Sequence, residues 1–188
     1  MKLVYWVFLS VVAIWSTTPL AIQWSTLGSS FSFSVASRMF IGLMLCILIL
    51  LFKQQKLSRH KQALTNYLYA GVGIYITMSL VYYSALSIPS GLISVVFGLT
   101  PIITGVFALI LLKEEFFSLS KMTGLLLGLS GLFMIFNHSF VFAETLLTGL
   151  ASVTLAMIFQ AFISVKLKKI NAHVSALETT TGALIVSV

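Results

Sequence analysis

Long apolar runs alternate with short polar segments along the whole chain. Six of the runs have about 20 residues, the length that an α-helix needs to cross the hydrocarbon core of a bilayer. They cover residues 3–22, 33–52, 67–86, 90–112, 118–136 and 146–165. This pattern predicts an all-α integral membrane protein, a polytopic helix bundle in which each run forms one membrane helix.

A seventh run, over residues 174–188, is still apolar where the chain stops and is short for a full span. We therefore expect about seven helices, and we interpret the sequence as a fragment or as a gene product truncated inside a helix. At the other end, Lys2 precedes an apolar stretch, as in a signal peptide. No small-residue cleavage site follows, so we predict an uncleaved first helix.

The basic residues predict how the helices are oriented. Apart from Arg38, they lie at the N-terminus and in the second, fourth and sixth loops, whereas the first, third and fifth loops have none. Since cytoplasmic loops carry the excess of Lys and Arg, we expect a cytoplasmic N-terminus in a cytoplasmic membrane. These residues are Lys2, Lys53, Lys56, Arg59, Lys61, Lys113, Lys121, Lys166, Lys168 and Lys169.

Composition narrows the function classes. Hydrophobic residues make up 59% of the chain and charged residues 8%, whereas a soluble domain has about 25% charged residues. The net charge is +7, but the basic residues do not form a basic face with interleaved aromatic residues, so we predict no nucleic-acid binding.

Single residues offer little chemistry outside the helices. The lone Cys46 is expected to pack or to face lipid, and Glu114 and Glu115 are expected to form an interfacial cluster with Lys113. The sequence has no catalytic or phosphate-binding motif and no metal-ligand cluster, so we expect no enzyme activity, cofactor or metal.

Two ionisable residues are expected inside the helices, where they are costly. Arg38 lies about five residues into the second helix, where it either faces an aqueous cavity or snorkels to the interface. Glu178 is expected as a buried charge about four residues into the seventh helix. Residues 36–42 and 176–182 both have Ala first, the charge third and Gly last. The seventh helix comes five spans after the second, an odd number, so this weak match predicts an inverted repeat, as in many secondary transporters.

Polar features of the third and fourth helices are candidates for a substrate pathway. Pro101 lies mid-span and frees the carbonyl of Phe97. The functional interpretation is a hinge or a substrate-coordinating carbonyl, and the alternative is a plain kink. Tyr75 and Tyr82 are seven residues apart with Ser79 between them, so we predict that they share a face. They either line a pathway or simply pack.

Two other features are interpreted as structural. Pro19, near the predicted end of the first helix, is expected to cause a plain kink. Gly124 and Gly128 form a G-x-x-x-G pair, which predicts close packing of the fifth helix against a neighbour.

Several segments carry a resemblance to a known family. Residues 83–92 read YSALSIPSGL, residues 99–101 LTP, residues 111–114 LLKE and residues 124–131 GLLLGLSG. Together they closely resemble the EamA family of the drug/metabolite transporter superfamily. Trp15, Pro19 and Arg38 also match family-like positions, whereas Lys113 stands where the family often has Gly.

The resemblance implies ten helices in two inverted five-helix repeats around a central substrate cavity. It implies a complete first repeat over residues 3–136, the start of a second over residues 146–188, and about three further helices beyond Val188. It also implies alternating access. The substrate-pathway candidates are Trp15, Arg38, Tyr75, Ser79, Tyr82, Pro101 and Glu178.

We therefore expect a secondary transporter that exports small metabolites or drugs, driven by a substrate gradient or by protons. One alternative is a non-transporting or partial membrane subunit or scaffold. The other is an intramembrane enzyme, which needs a Ser/His or Asp/Asp pair that the spans do not offer. The expected partners are the lipid bilayer and a small-molecule substrate. If the chain ends at Val188, half of the second repeat is missing, and the product has to form a homodimer or be inactive.

Overall fold

The computed structural model describes residues 2–28, 30–113, 119–136, 144–170 and 172–188. All regular secondary structure in these residues is α-helical, which confirms the all-α prediction. The helices are α1 (Lys2–Thr26), α2 (Phe31–Phe52), α3 (Lys61–Ser84), α4 (Ser90–Gly98), α5 (Thr100–Leu112), α6 (Leu119–Phe136), α7 (Glu144–Ile170) and α8 (Ala176–Ser187). Glu114, Glu115 and His138 lie outside the described residues.

Five stretches within the described residues are long and apolar enough to cross a membrane. They are Val4–Thr26, Phe31–Phe52, Lys61–Ser84, Ser90–Leu112 and Leu146–Ile170. They confirm a polytopic membrane protein and correspond to the first four predicted runs and the sixth. The fifth run forms α6, and the short seventh run forms α8 with 12 residues. The first helix extends to Thr26, so Pro19 lies inside it rather than near its end.

Helix α3 is the centre of the packing. It lies antiparallel to α7, because Tyr69 faces Lys166 while Gly73, one turn on, faces Ile163. It lies parallel to α8, because the ring of Tyr67 covers Gly182 and the next turn of each helix brings Gly71 against Val186. Helix α3 therefore joins the first part of the chain to its last two helices.

Glycines of α3 and α8 allow these close approaches, whereas the sequence predicts close packing at Gly124 and Gly128 of α6. A Cβ added to Gly71 would lie 2.6 Å from the carbonyl oxygen of Ala183, and one added to Gly73 would overlap Ile163. In contrast, Cβ atoms at Gly124 and Gly128 would meet nothing within 4 Å among the described residues. The prediction that this G-x-x-x-G pair packs against a neighbouring helix is therefore wrong for the part of the chain that the structure describes. Small residues pack closely only where another helix reaches them.

The buried core lies where α1, α3, α4 and α7 meet. Tyr82, Ile93 and Val153 are among its most buried side chains, and Ile22 joins them from α1. Outside this core, large apolar side chains are exposed along the helices, and those of α1 are the most extensive group. Exposed apolar area of this extent fits a surface whose solvent is lipid.

Two of the cationic loops lie at the same end of the bundle. Ser58, in the loop between α2 and α3, donates hydrogen bonds to Glu178 at the start of α8. His60 Nε2 lies 3.0 Å from the carbonyl oxygen of Ala172, between α7 and α8. This agrees with the prediction that the second and sixth loops share one side of the membrane.

Candidate functional site

The helix of the fourth membrane span is interrupted for one residue near its middle, at Leu99, whose backbone stays in the right-handed helical region (φ −81°, ψ −12°). We call this local interruption the break. Helix α4 ends at Gly98 and α5 begins at Thr100, with Pro101 in the first turn of α5. Because proline has no amide hydrogen, residue 101 cannot donate to the carbonyl of Phe97. The hydrogen-bond ladder restarts at the carbonyl of Leu99, which accepts from Ile102 at 3.0 Å and from Ile103 at 3.3 Å. Whether Pro101 marks a hinge, a substrate-coordinating carbonyl or a plain kink stays a prediction.

A hydroxyl group without a partner lies at this break. The Oγ1 atom of Thr100 is buried and has no hydrogen-bond partner among the described residues. A buried polar group left unpaired costs about 1–3 kcal/mol. Such a group is therefore a candidate for binding a molecule that enters the bundle.

A second unpaired hydroxyl lies on α3. The side chain of Thr77 is 1% exposed, and its Oγ1 atom also has no partner in the described part of the chain. Thr77 is one turn on from Gly73, on the face of α3 that packs against α7. Thr100 is two turns before Phe107, whose ring contacts that of Phe162 in α7 with centroids 5.7 Å apart. Thr77 therefore belongs to the α3 face that packs on α7, and Thr100 shares a face of α5 with Phe107.

The predicted pathway residues do not form one cluster. Pro101 lies at the break, but its side chain is exposed, as is Trp15 on the outer surface of α1, at 68%. Ser79 is half-buried on α3. None of the contacts described for these residues joins one to another, and their shared role stays a prediction.

Tyr75 and Tyr82 lie on one face of α3 but have different surroundings, so whether they line a pathway together stays a prediction. Tyr82 is 2% exposed in the core, whereas Tyr75 is 56% exposed. Helix α8 covers this side of α3 as far as Gly71, where Val186 packs, and Tyr75 lies one turn further on. Residues seven apart on a long helix meet different neighbours when those neighbours end or cross between them.

Arg38 is exposed on α2. The buried side of this helix includes Val35, Met39 and Leu43, and Gly42 faces Leu184 of α8. Arg38 lies one turn from Gly42, at the edge of the packed face, with no hydrogen-bond partner among the described residues. Both predicted interpretations, pathway residue and snorkelling residue, remain open for it.

Glu178 connects two distant parts of the chain. One carboxylate oxygen accepts from the hydroxyl of Ser58 at 2.7 Å and from its backbone amide at 3.1 Å. The other accepts from the hydroxyl of Ser175 at 3.1 Å and from its amide at 3.3 Å. The Ser175 hydroxyl accepts in turn from the Glu178 amide, which completes a capping box at the start of α8.

This geometry corrects the expectation that Glu178 is a buried charge inside a helix. The residue is half-buried in the first turn of α8, outside the five spans. The Ser58 hydroxyl that donates to the carboxylate lowers the pKa of Glu178 below its ordinary value and outweighs the opposing effect of burial. A carboxylate held ionised in this way is poorly suited to carry a coupling proton near neutral pH.

Sequence reasoning missed Thr77, Thr100 and Ser58. Thr100 precedes the proline that breaks the span, so its position beside Pro101 was an available signal. Thr77 and Ser58 carried none, because one hydroxyl in an apolar run and one in a basic loop are common residues in such places.

Three comparisons with known proteins give one match. The comparisons with curated proteins and with solved structures find none. The model of the EamA-like transporter family matches residues 2–137, which include the broken span. The chain therefore belongs to the EamA-like transporter family, whose members are membrane transporters.

Proposed function

We propose that this protein is a secondary transporter that exports small metabolites or drugs by alternating access. The observation that carries the proposal is the break between α4 and α5, with the unpaired hydroxyl of Thr100 beside it. Discontinuous helices near the bilayer midplane form the substrate sites of many secondary transporters. Membership of the EamA-like family supports the same class of function.

The break offers both kinds of hydrogen-bonding group to a substrate. The Thr100 hydroxyl donates or accepts, and the carbonyl that Pro101 leaves without its helical partner accepts. Apolar residues around the break, including Phe97 and Ile103, belong to the edge of the core. A small molecule with a few polar groups and an apolar body fits this combination.

Alternating access also needs an end of the bundle that closes and opens. In this structure, Ser58 and Glu178 connect the α2–α3 loop to α8, and His60 connects it to the carbonyl of Ala172. In our proposal this end is closed here, and it opens when these hydrogen bonds break. In alternating access the closed and open states have similar free energies. The hydrogen bonds that close this end are therefore few and partly exposed.

The proposal is tested by flux through the purified protein in proteoliposomes, with a panel of amino acids, nucleosides and amphiphiles. Saturable flux of at least one compound is expected. Thr100→Val keeps the shape of the side chain and removes the unpaired hydroxyl, so it should leave thermal stability unchanged or higher. It should lower flux about fivefold, because one substrate hydrogen bond contributes about 1 kcal/mol.

Thr180→Val is the matched control. The Thr180 hydroxyl is exposed and bonds only to Ala176 in its own helix, so flux should not change. Full flux by a stable Thr100→Val protein would remove Thr100 from the site. The absence of saturable flux for every compound in the panel would contradict the transport function itself.

A further inference from the structure

One end of the bundle collects basic residues from two distant segments. Four lie between residues 53 and 61, in the α2–α3 loop and at the start of α3, and three lie between residues 166 and 169, at the end of α7. The bond between His60 and Ala172 and the bonds between Ser58 and Glu178 hold these segments together. The fold therefore concentrates positive charge that the sequence places more than 100 residues apart.

Little negative charge balances this end among the described residues. Glu178 is the carboxylate at this end within those ranges, and both of its oxygens already accept hydrogen bonds from Ser58 and Ser175. Glu144 begins α7 at the opposite end of that helix. In the whole chain basic residues outnumber acidic ones, 11 to 4, so an anion from outside the chain can complement the cluster electrostatically.

The geometry around Lys166 shows which anion fits. Its ammonium group lies 5.6 Å from the ring centroid of Tyr69, which is itself partly exposed on α3. Tyrosine and lysine side chains in this arrangement are typical of the headgroup level of a membrane. Lys169, one turn on from Lys166, is exposed.

Apolar side chains continue from Lys166 along the same face of α7 toward the middle of the membrane. Phe162 is half-buried against Phe107 of α5, whereas Phe159 is 39% exposed and Leu155 is 48% exposed. With Lys166 they follow the three- and four-residue spacing of one helix face. A cationic head above an exposed apolar stripe matches the two parts of a phospholipid.

We propose that the face of α7 that carries Lys166, beside Tyr69 of α3, binds an anionic phospholipid at this end. Lys166 and Lys169 hold the phosphate-bearing headgroup, Tyr69 lies beneath it, and an acyl chain lies along the exposed side chains of Phe159 and Leu155. The basic residues of the α2–α3 loop raise the local concentration of anionic headgroups. This site is separate from the break between α4 and α5 and does not depend on the proposed transport.

The test is lipid retention by the full chain, measured by native mass spectrometry after release from membranes of equal phosphatidylglycerol and phosphatidylcholine. The unaltered protein should retain phosphatidylglycerol preferentially. Replacing both lysines, by Lys166→Gln with Lys169→Gln, should weaken its retention about 25-fold, or about fivefold for each charge. Arg38→Gln removes one positive charge at the other end of the bundle and should change nothing.

A second measurement on the unaltered protein does not depend on how the variant folds. Raising the salt concentration to about 1 M should release phosphatidylglycerol, because screening at that ionic strength acts over about 3 Å. Equal retention of the two lipids, or retention that neither salt nor the double substitution changes, would overturn the proposal. Release by millimolar inorganic phosphate would also overturn it, because the site would then recognise the free anion rather than the lipid.

Discussion

Removing the contact between Ser58 and Glu178 should loosen α8 from the α2–α3 loop. The Ser58 hydroxyl donates to the carboxylate at 2.7 Å, and hydrogen bonds to charged groups contribute about 1.5–3 kcal/mol when they are well shielded. Because Glu178 is half-buried, the lower part of that range applies. A double-mutant cycle of Ser58→Ala and Glu178→Gln should therefore give a coupling free energy of about 1–2 kcal/mol.

The assay is amide hydrogen exchange of the first turn of α8 and of the α2–α3 loop, on the protein in nanodiscs. A coupling of 1.4 kcal/mol corresponds to a tenfold change in the opening equilibrium. The comparison cycle pairs Glu178→Gln with Ser164→Ala, an exposed serine of α7 that bonds only to Gln160. That cycle should be additive. A coupling below about 0.3 kcal/mol between Ser58 and Glu178 would refute the assignment of this contact as a connection between the two segments.

Three further predictions concern packing, pH and transport. Gly182→Ala places a methyl group on the Tyr67 ring and should destabilise the protein by about 1–3 kcal/mol in unfolding titrations, whereas Gly124→Ala, in open space, should be neutral or stabilising by up to about 1 kcal/mol. Because the pKa of Glu178 is lowered, its contribution to stability is fully present above the ordinary glutamate pKa of about 4.3 and is lost as the pH falls through its lower folded value. The stability difference between the unaltered protein and Glu178→Gln should thus be constant from about pH 6 to 8 and shrink below about pH 4, and a difference that changes between pH 6 and 8 would contradict this. If Arg38 faces the pathway, Arg38→Ala should abolish flux with normal membrane insertion, and unchanged flux would assign it to the interface.

The apolar runs were sufficient to predict the spans because their length is set by the bilayer rather than by packing. Five predicted runs form helices long and apolar enough to cross a membrane, and the freed carbonyl of Phe97 followed from the missing amide hydrogen of proline. Both inferences depend on local covalent structure and on the solvent. They needed no knowledge of which helices are neighbours.

The site could not be predicted to the same extent, because lipid-facing and helix-facing positions are equally apolar in a membrane protein. Gly124 and Gly182 are the same residue type in similar helices, yet a Cβ at Gly124 meets nothing within 4 Å among the described residues, whereas Gly182 faces Tyr67. Tyr75 and Tyr82 differ in the same way. The contact between Ser58 and Glu178 depends on α8 returning to the α2–α3 loop, which no local pattern encodes.

The central claim is that the break beside Thr100 is reached from both sides of the membrane in turn. The most direct measurement is labelling of Thr100→Cys in a Cys46→Ala background by a membrane-impermeant maleimide, applied to right-side-out and to inside-out vesicles. Gln55→Cys, exposed in the α2–α3 loop, is the control and should react from one face only. With alternating access, Thr100→Cys should react from both faces. Reaction from a single face, or from neither, while the control reacts normally, would contradict alternating access at this site.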